Sequence, residues 1–408
     1  MTIAKTDGND DREDRCGHAY KKYARFIGIP RPRRSTLLSI HLFSTTLHPM
    51  TGQPLPLIHI GGTPREMGLE FGKARRESIL HMVANVRTFL EQTYGQIRLT
   101  WPEAILQAQK YLPFAQELTP RYVEELRAMA EGADVAFDDL MVVNCLEAIT
   151  TDALHLLGCT TFVVTEEHTA EGRVLIGHNE DWLPADESDV FLIHAEPAGE
   201  PAFLAMTYGA LLPNIGFNSA GICQCCDSVY PSDVRIGVPR IFVSRAVLAA
   251  RTISEAISAA LAPHRAAGYN HVLVHESDEA YNVEVSARYF SMMYAQGGIL
   301  AHTNHYLARR MARLENDAHH LIGSRVRYFR ALRLLRRTHR HNRESLQAIL
   351  RDHVNHPNSI CSHEVIDENP LDQQKTVCSL IIDLNERQMH AAWGVPCENE
   401  YFTYRLSA

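Results

Sequence analysis

The sequence predicts an α+β protein, and three observations carry that prediction. Apolar residues keep helical period through most of residues 63–157. From Cys159 onward the pattern changes to period two, with turn residues between short runs. Later helices come grouped rather than alternating one-for-one with strands, which argues against a parallel βαβ sheet. In chain order, residues 1–54 form an extension expected to be disordered. Leu55 to Ile60 then read as a short strand. Thr63-Pro-Arg-Glu66 supplies an N-cap, a first-turn proline and a capping-box glutamate, and Met67, Phe71, Ile79, Met82, Val86 and Phe89 continue the helical spacing. Thr119-Pro-Arg-Tyr122 opens another helix that runs to Gly132, and Phe137 to His155 gives a further one.

Past Cys159, the runs Thr160 to Val164 and Arg173 to Gly177 flank the turn-rich Thr169-Ala-Glu-Gly172. Strands are expected at 190–196, 202–208, 214–227, 270–276, 280–287 and 290–302. Helices are expected near 239–250 and 253–263, the second opened by Thr252-Ile-Ser-Glu255, and a further helical stretch is expected to span roughly 306–353. Two last strands fall near 376–384 and 388–394. There is no internal repeat and no low-complexity tract.

Composition narrows the function classes. With 45% hydrophobic and 22% charged residues the chain reads as an ordinary globular protein. A net charge of −8 without a long basic stripe argues against nucleic acid as a partner. No apolar run reaches membrane-spanning length, so no membrane partner is expected. Nine scattered cysteines make no secreted disulfide framework, which favours a cytoplasmic setting. Ser35 to Leu47 is faintly signal-like after Arg31-Pro-Arg-Arg34 but lacks a small-residue cleavage site. Met50 would then serve as an alternative start.

The most informative dipeptide is Gly158-Cys159, at the seam between the helical and the β-rich parts. A thiol attacks carbonyls as its thiolate and needs a base. If the bond before Cys159 were cut, the residue would carry its own base, an α-amine with a reference pKa of about 8. Gly158, with no Cβ, would tolerate the strained backbone that self-cleavage needs. The competing reading is a buried strand cysteine, which is where free cysteines commonly sit. Around this junction the sequence places Gly177-His-Asn-Glu-Asp181-Trp182, the tight turn Asn218-Ser-Ala-Gly221, Glu284-Val-Ser286, and the donor-rich His302-Thr-Asn304-His305.

These pieces, in this order and spacing, resemble the isopenicillin N acyltransferase family of autoproteolytic N-terminal cysteine hydrolases. The matching stretches are Thr63-Pro-x-Glu-x-Gly68, Glu124-Glu-x-Arg127 with Gly132-Ala133, and Gly158-Cys-Thr-Thr161. They continue through Asn179-x-Asp181, Gly216-Phe-Asn-Ser-Ala-Gly221, Glu284-x-Ser286, His302-Thr-Asn-His305 and Ser359-Ile-Cys361, so that the resemblance covers about residues 55–405. It implies a four-layer αββα N-terminal nucleophile hydrolase sandwich. It also implies a helical chain, 55–158, cut from a catalytic chain, 159–408, the two staying associated in one domain. By the same resemblance Cys159 is nucleophile and, with Gly158, the cleavage site; Asn304 is the oxyanion donor; Asp181 and Asn179 orient the junction and the new amine; and Ser286 takes part in processing or acyl transfer. Trp182 and His305 are expected at the substrate, although Trp182 and Phe162 fit core packing equally well. A small-molecule acyl donor and acceptor are expected, with no cofactor and no metal, and with a coenzyme A thioester admitted as substrate. The alternative is a non-processed binding protein of the same fold. Two positions depart from the family: Gln373-Gln374-Lys375-Thr376 offers only a lysine where an arginine is expected, and Leu146 stands where another arginine is expected. Both count against a penicillin-type substrate.

Three clusters invite other readings. Cys223-Gln-Cys225-Cys226 could bind metal, but its first two thiols share one strand face and the third takes the other, whereas structural zinc usually has four ligands. His178, His302 and His305 could be ligands, but lack a helical His-x-x-x-His spacing and read as hydrogen-bonded neighbours of the site. The basic run Arg325 to Arg340, with Val326, Phe329, Leu332 and Leu335 between, reads as an amphipathic helix with a solvated face, or else as a seat for an anion such as the phosphates of coenzyme A.

Overall fold

The computed structural model describes residues 52–92, 99–150, 158–316, 321–365 and 373–407. Most of the N-terminal extension, the last five residues of the helix expected to reach His155, and Cys16 therefore lie outside the described residues. Strand β1 (Leu57–Gly62) leads into α1 (Pro64–Ala74), where the Thr63 capping box is present with both of its bonds. The helical spacing read through Phe89 divides at Arg75, and α2 (Arg76–Gln92) carries the rest. Helices α3 (Trp101–Gln109), α4 (Leu112–Leu118), α5 (Pro120–Ala133) and α6 (Phe137–Thr150) complete the helical part. Thr119 precedes α5 but does not cap it; its hydroxyl donates back to the Ala115 carbonyl.

The β-rich part builds two sheets. One has eight strands in the order β1-β4-β5-β6-β7-β8-β9-β10, with β4 Val190–Pro197, β5 Phe203–Tyr208, β6 Ile215–Asn218, β7 Ile222–Asp227, β8 Tyr269–His275, β9 Glu279–Val285 and β10 Phe290–Tyr294. The other has six, β11-β2-β3-β12-β13-β14, with β2 Gly158–Val164, β3 Leu175–Trp182, β11 Ile299–His302, β12 Lys375–Asp383, β13 Gln388–Trp393 and β14 Phe402–Arg405. All pairings are antiparallel except β1 with β4. The run expected at 290–302 is two strands in different sheets, and the chain crosses over at Gly297 and Gly298, both at positive φ.

Layering follows from which faces are apolar. Helices α1–α6 with α7 (Arg240–Val247) and α8 (Ile253–Ala260) lie on the eight-stranded side, α1 against β1 and β4 and α8 against β8 and β9. The two sheets face each other through β2 with β7 and β11 with β9. On the far side α9 (Ile322–Leu335) and α10 (Arg343–Leu350) cover β11, β2, β3 and β12 through Phe162, Val164, Ala331, Leu335, Leu346 and Ile381. The result is the four-layer αββα sandwich that the resemblance implies.

Within the outer helical layer α1 and α5 touch backbone to backbone. A Cβ on Gly68 would stand 2.1 Å from the Glu125 carbonyl oxygen, one on Gly72 2.2 Å from that of Met129, and one on Gly132 2.5 Å from that of Leu69. The family-like glycines at 68 and 132 are thus explained by close approach. Glu125, beside Gly68, is fully buried and paired at 3.1 Å with the equally buried Arg245 of α7.

Candidate active site

Cys159 is the second residue of β2 and is 3% exposed. In the β2–β3 ladder Gly158 stands opposite Asp181, Cys159 opposite Glu180, and Thr160 opposite Asn179. Side chains alternate across a sheet, so two different environments meet at the junction. On the face toward the other sheet lie Cys159, Thr161, His178 and Glu180. On the face toward α9 and α10 lie Gly158, Thr160, Asn179 and Asp181.

The inter-sheet face carries a chain of hydrogen bonds and ion pairs. Cys159 Sγ donates to Glu180 Oε2 at 3.5 Å, and the same oxygen is 3.0 Å from His178 Nε2. Glu180 Oε1 accepts from the Tyr208 hydroxyl at 3.2 Å. His178 Nδ1 meets the Thr161 hydroxyl at 2.8 Å, which donates to Asp227 at 2.7 Å, and His302 then bridges Asp227 and Glu284 at 3.3 and 3.1 Å. Burial pulls the His302 imidazole toward neutrality, but the two carboxylates prevail and raise its pKa to about 9. Burial first, then Glu180, hold the Cys159 thiol well above its ordinary pKa. This thiol is thereby held neutral, with Glu180 as its hydrogen-bond partner.

The other face grips the backbone. Asn304, in the loop after β11, accepts the Cys159 N–H on Oδ1 at 2.8 Å and also accepts from Arg327 Nη2 at 2.9 Å. Both partners are donors only, so the orientation of this amide is fixed, and its Nδ2 donates to the Ser228 carbonyl at 3.1 Å. Asn304 therefore presents an acceptor to residue 159, and its Nδ2, which gives one of its two hydrogens to Ser228, keeps the second for the oxyanion-donor role that the resemblance implies. Arg327 also donates to the Cys159 carbonyl and to Thr160 Oγ1. Asp181 accepts from Thr376 Oγ1 at 2.6 Å, and burial pushes its carboxyl up to about 7 against the opposing pull of Arg327.

Gly158 lies in regular strand register and is not among the positive-φ glycines, so the strained backbone expected there is not found. A side chain at 158 would instead meet Gln374 Oε1 at 2.9 Å and Asp181 Oδ2 at 3.0 Å. Asn179 points away from the thiol: it donates to the Leu350 and Ile360 carbonyls and accepts from Ser379, pinning β3 to the outer helices. Ser286 is held in a turn, donating to Asp233 at 2.8 Å and accepting from the Tyr289 N–H at 2.9 Å. His305 stands behind Asn304, with Nδ1 2.8 Å from the Ser324 hydroxyl that accepts the Asn304 N–H; burial, then His302, lowers its pKa to about 3. Among the expected residues, then, Cys159, Asn304 and Asp181 meet at the junction, Asn179 and His305 brace its surroundings, and Ser286 is held by Asp233 and Tyr289 in the turn after β9.

Trp182 packs on Tyr208 and, with Glu180, Leu146, Glu147 and Tyr269, lines a small cavity beside α6. Lys375 is paired with Glu187 at 2.7 Å, and Leu146 forms wall. Two residues at the junction were not read from sequence. Glu180 shares the face of Cys159, and strict alternation along β3 would have found it. Arg327 was assigned to a solvated basic face, yet α9 buries Ser324, Arg327, Ala331 and Leu335 and leaves Phe329 67% exposed. That phase puts the arginine, not the phenylalanine, inward. Cys223, Cys225 and Cys226 are buried free thiols in β7. Among the described residues no helix is long and apolar enough to cross a membrane.

A family model described as acyl-coenzyme A:6-aminopenicillanic acid acyl-transferase matches residues 168–398, more than half of the chain. The acyl-coenzyme A:6-aminopenicillanic-acid-acyltransferase of Emericella nidulans is 24% identical over 249 residues, covering 60% of this chain and 68% of that protein. The Beta-alanyl-dopamine/carcinine hydrolase of Drosophila melanogaster is 25% identical over 224 residues, covering 50% of this chain and 56% of its own length. Among solved structures, penicillin V acylase from Agrobacterium tumefaciens overlaps 58% of this chain and 83% of its own, at 17% identity and a TM-score of 0.41. A variant of conjugated bile acid hydrolase from Clostridium perfringens overlaps 61% and 97%, at 13% identity and the same score.

Proposed function

The chain belongs to the acyl-coenzyme A:6-aminopenicillanic acid acyl-transferase family, and from that premise we propose that it is a self-cleaving N-terminal cysteine amidohydrolase or acyltransferase. The observation that carries the reading is the contact of both reacting atoms of residue 159 with suitable partners: Sγ with the Glu180 carboxylate and N with Asn304 Oδ1. In the uncut chain residue 159 has no free amine, so another base must take the thiol proton. Glu180 is that base. Moving the proton from sulfur to carboxylate leaves one negative charge on the pair before and after, so no buried charge is created.

Sγ attacks the Gly158 carbonyl, and the C–N bond breaks as the Cys159 nitrogen takes a proton. Water then hydrolyses the thioester to a Gly158 carboxylate and a free Cys159 amine and thiol. Asn304 stays with that nitrogen and orients the new amine, which serves as base in turnover. Arg327 acts through Asn304 and the Cys159 carbonyl as a positioning residue. Chain 55–158 remains packed on 159–408, since β1 pairs with β4 and α1 packs on β4.

In turnover Cys159 attacks an amide or thioester carbonyl, and the acyl group passes to water or to a small amine. The names of the two relatives, an acyl-coenzyme A transferase and a hydrolase of an acylated amine, support both donor classes. Lys375 committed to Glu187 and an apolar Leu146 favour a small N-acylated amine, peptide or amino-acid derivative over a penicillin. The test is rapid acid quench of the processed protein with a panel of N-acyl amines and acyl-coenzyme A thioesters. The account expects an acyl adduct on the peptide that starts at Cys159, released by hydroxylamine as a hydroxamate. Turnover that survives Cys159→Ala would overturn it.

A further inference from the structure

We propose that His353 Nε2, Cys361 Sγ, His363 Nε2 and Cys397 Sγ form a closed, four-coordinate structural site for a zinc(II) ion. The four side chains come from three places in the chain: the segment after α10, the turn at 361–363, and the loop after β13. Their ligand atoms all lie within 4.8 Å of one another. His363 Nε2 is 3.0 Å from His353 Nε2, 3.3 Å from Cys397 Sγ and 3.6 Å from Cys361 Sγ. Tetrahedral zinc with bonds of about 2.0–2.1 Å to nitrogen and about 2.3 Å to sulfur sets ligand separations of about 3.3 Å between nitrogens and about 3.5 Å between nitrogen and sulfur. The observed distances fall within about 0.3 Å of those values.

Hydrogen bonding alone does not account for the cluster. One imidazole nitrogen offers either one proton or one lone pair. Here His363 Nε2 faces three groups at once, and a cation at their centre satisfies all of them. Two thiolates balance the charge of zinc(II), and two sulfurs with two imidazoles are the donor set that selects it over magnesium or calcium. The other ring nitrogen of His363 is 3.9 Å from Glu398 Oε1, on the side where a carboxylate steadies a metal-bound histidine. With four protein ligands and no open position, the ion is structural.

Its place gives it a task. The same loop supplies Pro357, Asn358, Ser359 and Ser362 to a polar pocket shared with Asp181, Asn304 and Arg327. The Ser362 N–H donates to Thr376 Oγ1, which in turn donates to Asp181. Zinc would staple this wall to the C-terminal loop.

The experiment is metal analysis of the purified full chain beside Cys397→Ser and His353→Ala, two exposed positions where the substitution removes little packing. Elemental analysis and native mass should give one zinc per chain in the wild type and its loss in both variants. Cobalt(II) exchange should give the intense d–d spectrum of a tetrahedral thiolate site, absent in Cys397→Ser, whose circular dichroism checks its fold. Zinc-replete, reduced wild type without stoichiometric metal would overturn the proposal. So would full zinc retention in both variants, or a disulfide between Cys361 and Cys397.

Discussion

At Cys159 the chemistry turns on which neighbours share its side of β2. The sequence pattern led to Asn179 and Asp181, but a strand presents alternate residues to opposite faces, and the thiol meets Glu180 between them. Asp181 lies instead on the Gly158 side, where burial raises its carboxyl to about 7, and Asn179 spends its amide on two carbonyls of the outer layer. Cys159 stood out in the sequence because Gly-Cys marks a change of periodicity; its contact with Glu180 did not, because that depends on register, a long-range property. Glu180→Gln keeps acceptor and donor for His178 and Tyr208 but cannot take the thiol proton. General-base assistance contributes typically ~10²–10⁴-fold. Cleavage of this variant, followed by gel and mass during expression or refolding, should slow by about that factor, and an unchanged rate would remove Glu180 from the mechanism.

Among the elements, helices with strong caps were read well and the phase of α9 was not. Thr63 and Thr252 open helices as their capping sequences require. In α9, arginines and apolar residues alternate so closely that two inward phases compete, and the one chosen by the fold places Arg327 against Asn304 and Cys159. The run at 290–302 carried no sign that it divides between sheets beyond its two glycines. The α1–α5 contact has its own test. Gly68→Ala would gain about 1 kcal/mol of helix propensity on an isolated helix. Here the added methyl meets the Glu125 carbonyl carbon's oxygen at 2.1 Å, a backbone atom that cannot swing aside, and overpacking of this kind costs about 1–3 kcal/mol. Urea unfolding in a Cys159→Ala background should show net destabilisation; a stabilised Gly68→Ala would mean the helices separate freely.

For the whole molecule, the α+β class followed from local periodicity, whereas the four layers were implied by the resemblance alone. Strand order was not legible: β1 pairs parallel with β4, and β11 leaves its sequence neighbour β10 to join β2. Those pairings place the His302–Asn304 loop at the edge of β2, beside the residue whose nitrogen it holds. They also lodge the buried chain from Cys159 to Glu284 between the sheets, where an unpaired polar group would be costly. The site is thus assembled by topology from a junction, a loop and a helix that are remote in sequence. Its central claim is that residue 159 cuts the chain before it and becomes the catalytic N-terminus. The direct measurement is intact mass under denaturing, reducing conditions for the wild type beside Cys159→Ala. The account predicts fragments 1–158 and 159–408 from the wild type and one whole chain from the variant. A wild type that stays whole after full maturation, or a variant that still splits at Gly158, would contradict it.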